Sequence, residues 1–72
     1  MKKWQIWMEG FQIMAEHACA EYLGEYKAET FKEACKKAVH AKGYDGLYDE
    51  KNNTVWGCCL YDNEEDARKD FG

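Results

Sequence analysis

Hydrophobic and polar residues alternate along the first part of the chain. Trp4, Ile6 and Met8 occupy every second position, which is the two-residue period of a half-buried β-strand. Residues 18–28 alternate in a similar way and predict a second strand, in which Leu23 falls on a mostly solvent-facing side. We expect a β-bulge near Glu9 and Gly10, which lets the first strand continue inward through Phe11 and Ile13, and then a loop over residues 15–17.

The middle of the chain changes to the period of a helix. Thr30 and Glu33 have the spacing of a capping box, in which the threonine hydroxyl accepts a hydrogen bond from the third helical amide. Apolar residues then recur at helical spacing from Phe31 to Val39, and Gly43 provides a left-handed cap. The sequence therefore predicts one amphipathic helix between Thr30 and Gly43.

The last third of the chain predicts a hairpin and a short helix. Residues 44–49 and 54–61 are the predicted strands, and the asparagines between them tolerate the positive φ of a tight turn. Apolar residues fill both faces of the second strand, so Trp56 is expected on a covered face of a central strand. The acids that follow suit the N-terminal end of a short helix. We predict a single α+β domain over residues 1–72, in the order β-β-α-β-β-α, with an antiparallel sheet packed by one longer and one short helix.

The length of the chain and its net charge limit the kinds of partner that the protein could bind. A chain of 72 residues buries only about 60% of its unfolded surface, so we expect a shallow surface site. The formal net charge of −4 is uneven, because residues 1–43 carry +1 and residues 44–72 carry −5. This balance argues against direct nucleic-acid binding and favours a protein partner with a basic surface. The alternative is that the acids only keep the domain soluble.

The N-terminal segment lacks the features of a signal peptide, because Gln5 and Glu9 interrupt its apolar run. The longest apolar run elsewhere is far shorter than the ~20 residues of a membrane-spanning helix. We therefore expect a cytoplasmic protein that does not contact a membrane. In a reducing compartment its four cysteines are expected to remain thiols.

Few residues of the chain point to catalytic chemistry. Serine is absent from the chain and no glycine-rich run could cradle a phosphate. His17, in the predicted loop, lies two residues from Cys19 and could activate that thiol, but no further group completes such a site. We predict that the chain is not an enzyme and carries no cofactor.

A metal or redox site built from His17, Cys19, Cys58 and Cys59 stays open as an alternative. No Cys-x-x-Cys spacing supports it. Cys58 and Cys59 are adjacent in a predicted strand, so their side chains should point to opposite faces and cannot easily share one tetrahedral ion.

Aromatic residues make up 15% of the chain, which is a high share for so small a core. If both helices cover one face of the sheet, Trp7 is left on the other, rimmed by Glu21, Glu25 and Lys27. Aromatic anchors within a charged rim are typical of protein interfaces. The predicted interaction residues are Trp7, Tyr61, Asp62, Glu64, Glu65, Asp66 and Asp70. Two alternatives remain, since the aromatics could instead pack the core or mediate structural self-association.

Residues 54–68, together with 4–11 and 28–35, resemble a family of short uncharacterised proteins from Gram-positive gut bacteria and their phages. The specific parts of the likeness are Trp-Gly-Cys at residues 56–58 and Asp-Asn-Glu at residues 62–64. The family has no known activity, so the resemblance implies a mobile-element setting and no catalytic residue.

In a phage-type setting, a small acidic module could inhibit a host nucleic-acid-handling enzyme. Acidic side chains on a rigid fold can occupy a basic groove that normally holds DNA or RNA. This hypothesis would be favoured if Asp45, Asp49 and Glu50 formed one patch with the acids of the last helix, and a scattered arrangement would count against it.

Overall fold

The computed structural model describes the backbone of residues 1–13 and 16–69 and the side chains of residues 1–10 and 19–69. Seven strands are found in this part of the chain: β1 (Lys2–Met8), β2 (Phe11–Ile13), β3 (Glu16–Ala18), β4 (Glu21–Ala28), β5 (Tyr48–Asp49), β6 (Thr54–Val55) and β7 (Cys58–Tyr61). Five of them form an antiparallel sheet in the order β4-β1-β7-β6-β5, and β2 pairs with β3 in a separate ladder. The predicted α+β class is confirmed.

Three helical segments are also found in the described residues: α1 (Phe31–Lys42), a 3₁₀ helix (Asp45–Leu47) and α2 (Glu64–Ala67). The Thr30 hydroxyl accepts a hydrogen bond from the Glu33 amide at 3.2 Å, and α1 ends at Gly43 with a φ of 74°, both as predicted. The Asn63 side chain caps α2 by accepting from the Asp66 amide at 2.8 Å. Within the described ranges, no helix is long and apolar enough to cross a membrane.

One core lies between α1 and the sheet. The helix contributes four buried side chains, and their small size lets its backbone approach the strands closely: Ala34, Cys35, Ala38 and Val39. From the strands, the buried members of this core are Ile6, Leu23, Ala28, Val55 and Leu60. Burying an aliphatic side chain such as Ile6 contributes about 1.5–3 kcal/mol. Because Ile6 is buried in this core, the face of β1 that carries Ile6 is the one that α1 covers.

A β-bulge interrupts β4 rather than the end of β1. Ile6 pairs with Gly24 and Trp7 pairs with Tyr22, which leaves Leu23 as the extra residue. Gly24 has a φ of 117°, a conformation that side-chain-bearing residues rarely adopt, and this lets Leu23 turn into the core, where it is 2% exposed. The expected bulge beside Glu9 and the solvent-facing position of Leu23 were both wrong.

The predicted strand over residues 54–61 is two strands. Trp56 and Gly57 have φ values of 52° and 82°, so the chain reverses between β6 and β7, and Val55 pairs with Cys58. Positive φ at both central residues is the signature of a type I′ hairpin turn. The turn moves Trp56 away from the covered face that alternation assigned to it, and its side chain is 61% exposed.

Two other sequence boundaries also change. Residues 44–49 were predicted to be a strand, but only the last two are, because the Leu47 amide donates to the Tyr44 carbonyl at 2.9 Å in the 3₁₀ helix. His17, predicted in a loop, lies in β3 opposite Gln12, where pairing with β2 satisfies backbone groups that a loop would leave to water. Ala15 and the His17 side chain lie outside what the structure describes.

Candidate functional site

Three aromatic side chains form a row across β4, β1 and β7. Trp7 pairs with Tyr22 on one neighbouring strand and with Tyr61 on the other. The Trp7 and Tyr22 ring centroids are 4.8 Å apart at an interplanar angle of 45°. Since Trp7 alternates with core-facing Ile6, this row, here called the aromatic row, lies on the sheet face opposite α1. Tyr22 is its most open member, with 45% of its surface exposed.

Polar and charged groups surround the aromatic row. The Trp7 indole donates a hydrogen bond to the Gln5 side-chain oxygen at 3.2 Å. Lys3 and Glu25 form an exposed ion pair with a 4.0 Å separation. The Arg68 guanidinium carbon is 5.9 Å from the Trp7 ring centroid, so the end of α2 lies beside the row and the two helices do not share one face. The row therefore has the anchor-and-rim composition of a contact surface.

The chain passes from Tyr61 of the row directly into four exposed acids, here called the acidic segment: Asp62, Glu64, Glu65 and Asp66. The Asn63 amide donates to the Asp62 carboxylate at 2.7 Å and to the Asp66 carboxylate at 3.0 Å. Arg68 binds Glu64 one helical turn away. These bonds hold the acids at the positive N-terminal end of α2. Asp70, the remaining predicted interaction residue, lies outside the described residues.

The other predicted acids are held by different parts of the fold. Glu50 forms a 2.6 Å ion pair with Lys36 of α1, and this bond holds the pKa of the Glu50 carboxyl below its ordinary value. Asp45 contacts the His40 imidazole at 3.4 Å. Asp49 accepts hydrogen bonds from Asn52 in the turn before β6. Asp45 lies in the 3₁₀ helix, and Asp49 and Glu50 lie at the β5-β6 turn, so these three acids have other partners than the acidic segment has.

A cleft of about 350 Å³ opens at one end of the sheet, where β1 ends and β4 begins, and sequence reasoning missed it. Its lining residues are Met8, Glu21, Tyr44, Leu47, Val55, Trp56 and Cys58. Leu47 and Trp56 are largely exposed, whereas Val55 and Cys58 are buried. Because Met8 pairs with Glu21, the bulge in β4 brings this carboxylate to the α1 side of the sheet and not to the rim of Trp7.

The carboxylate in the cleft is oriented by one phenol. The Tyr44 hydroxyl donates to Glu21 Oε2 at 3.1 Å, and this bond, more than burial, raises the pKa of Tyr44. No lysine or arginine of the described residues forms an ion pair with Glu21. No sequence signal pointed to this pair, because Tyr44 follows the cap of α1 and reaches Glu21 only when α1 packs on β4.

The four cysteines differ in their exposure. Cys58 is buried in β7, where burial raises the pKa of its thiol, and Cys59 is half-buried at the next strand position. Cys35 is buried in the core, whereas Cys19 is exposed. Within the part of the chain that the structure describes, no group of three or more histidine, cysteine or acidic residues could hold a metal ion.

Comparison with protein-family models, with curated proteins and with solved structures found no match to this chain. The resemblance to gut-bacterial and phage proteins therefore stays a prediction. Within the described residues, two surfaces have the composition of a binding site: the aromatic row with its acidic segment, and the cleft.

Proposed function

We propose that this chain is a non-enzymatic protein-interaction module that contacts a basic surface of another protein. One observation carries the proposal: the strand register lines up Trp7 with Tyr22 and Tyr61, and the acidic segment follows Tyr61 without interruption. The aromatic anchors and the acidic segment are therefore neighbours along the chain at the end of β7.

The two parts of this surface would have different roles in binding. Large rings that are already held in place lose little conformational entropy on contact, so the aromatic row supplies anchors. Exposed carboxylates contribute mainly to the rate of encounter and to partner choice, since water and salt screen them. The finer form of the proposal is inhibition of a nucleic-acid-handling enzyme, whose basic groove would receive the acidic segment. Asp45, Asp49 and Glu50 are held by other elements than the acidic segment, and this arrangement counts against the finer form.

A capture experiment with matched charge variants tests the proposal. Tagged wild-type protein is incubated with lysate of its source cells at low and high salt, and bound proteins are identified by mass spectrometry. We expect a basic partner that is lost at high salt. Glu65→Lys should weaken binding of the purified partner, whereas Glu29→Lys, the same exposed charge change before α1, should not.

Several outcomes would overturn the proposal. Equal effects of Glu65→Lys and Glu29→Lys would show that only net charge matters. An unaltered affinity of Tyr22→Ala would show that the aromatic row does not contribute to binding. Recovery of the bait alone would direct attention to self-association. That alternative predicts a solution mass of twice 8.4 kDa that is lost in Tyr22→Ala.

A further inference from the structure

We infer that the cleft is a binding site for a small primary amine that carries an aromatic or alkyl group. This inference is independent of the proposed function, because the cleft lies on the α1 side of the sheet, opposite the aromatic row. It rests on the lining of the cleft, which combines apolar walls with one carboxylate.

The carboxylate sets the charge of the ligand. Tyr44 donates to Glu21 Oε2, and the other carboxylate oxygen, Oε1, can accept from a bound donor. No lysine or arginine in the described ranges neutralises this carboxylate. An ammonium group entering the cleft would therefore make a charge-assisted hydrogen bond, whereas an anion would face repulsion. The phenol keeps the carboxylate in one orientation, which lowers the entropy cost of binding.

The apolar walls of the cleft indicate which group the ammonium should carry. Met8 offers a polarisable thioether that packs well against aromatic rings, and Val55 supplies a buried aliphatic floor. Trp56 and Leu47 stand at the mouth, where they could cover an apolar ligand. A volume of about 350 Å³ is at the small end of ligand pockets, so it suits a single-ring amine.

The backbone at the cleft supports a built site. The Trp56 amide donates to the Leu47 carbonyl at 2.9 Å, which ties the two residues of the mouth together. Trp56 also adopts a φ of 52°, an unfavourable region for a bulky residue. Asparagine or glycine is the usual choice at this turn position, so the tryptophan is held there against its backbone preference.

Titration with three related compounds tests the inference: 2-phenylethylamine, its neutral analogue 2-phenylethanol, and the anion 3-phenylpropanoate. Binding is followed by ¹H–¹⁵N NMR, using the Trp56 indole and the Leu47 and Cys58 amides as reporters. The Trp7 indole, on the opposite sheet face, is the internal reference. We expect the amine to bind about tenfold more tightly than the alcohol, the low end for a charge-assisted bond in an open cleft, and the anion not to bind.

Glu21→Gln and Glu25→Gln form the matched pair of variants. Both remove one carboxylate from β4, but glutamine at residue 21 can still accept from Tyr44, and Glu25 is paired with Lys3 outside the cleft. Glu21→Gln should abolish the preference for the amine, while Glu25→Gln should retain it. Equal binding of amine and alcohol by the wild-type protein would overturn the charge assignment. Shifts at the Trp7 indole alone, or none at millimolar amine, would overturn the site.

Discussion

Replacing Gly57 by alanine isolates the backbone requirement of the turn that presents Trp56 to the cleft. Gly57 has a φ of 82°, and a Cβ added there would meet no atom within 4 Å. The substitution therefore causes no clash, and its effect is dominated by the cost of placing an alanine in a left-handed conformation. That cost is about 1–2 kcal/mol.

The matched control is Gly46→Ala in the 3₁₀ helix. A Cβ at Gly46 also meets open space, but the backbone there does not have the positive φ of Gly57. We expect Gly46→Ala to be neutral or to stabilise by about 0.4–1 kcal/mol, because alanine restricts the unfolded chain. The two variants thus differ in backbone conformation while sharing the same chemical change.

Thermal and urea unfolding followed by circular dichroism would measure both variants. For a domain of this size each kcal/mol shifts Tm by about 4–8 °C, so Gly57→Ala should lower Tm by roughly 4–16 °C. Gly46→Ala should leave it unchanged or raise it. Equal Tm values for the two variants would refute the reasoning that a left-handed residue is needed between β6 and β7.

Three further predictions concern other parts of the fold. Thr30→Ala should destabilise the protein by about 1 kcal/mol in urea unfolding through loss of the α1 cap, whereas Thr30→Ser should not, and equal loss in both would contradict the capping role. A thiol reagent should modify exposed Cys19 in the native state and Cys35 only on unfolding, because Cys35 is buried and burial raises its pKa; simultaneous modification by mass spectrometry would show an open core. The ion pair with Lys36 lowers the pKa of Glu50 from 4.5, so the stability that the pair contributes is complete above that pH and is lost as the pH falls through the lowered pKa. The difference in unfolding free energy between the wild type and Glu50→Gln should therefore vanish in acid. A difference that stays constant with pH would contradict the pair.

Local signals in the sequence predict α1 well. The Thr30 cap, the apolar spacing and Gly43 each depend on residues within one or two helical turns, and all three agree. The cap of α2 and the turn before β6 likewise depend only on residues that are close in the sequence. Such features need no knowledge of the sheet, which is why the α+β class and the order of the main elements can be read from the chain.

The strand register cannot be read in the same way. Residues 54–61 form a nearly continuous apolar run, as a single buried strand would, and tryptophan at a left-handed turn position is too unusual to predict from local preference. The bulge at Leu23 depends on Gly24 facing Ile6 across the sheet. These two features decide which side of the sheet carries Glu21 and whether Trp56 is exposed. The cleft is therefore a consequence of long-range pairing and has no local signature.

The position of β1 between β4 and β7 has a consequence for how the molecule assembles. The pairing of β1 with β4 and the packing of α1 on them bring together nearby parts of the chain. The pairing of β1 with β7 does not, because the Cys59 amide donates to the Glu9 side chain fifty positions away. Closing that long loop costs entropy before any contact compensates for it, so β7 is expected to dock late. Until it does, one edge of β1 is unpaired and Trp7 lacks Tyr61 beside it. At high concentration, partly folded molecules would then join through this edge, and aggregation during refolding would compete with completion of the sheet.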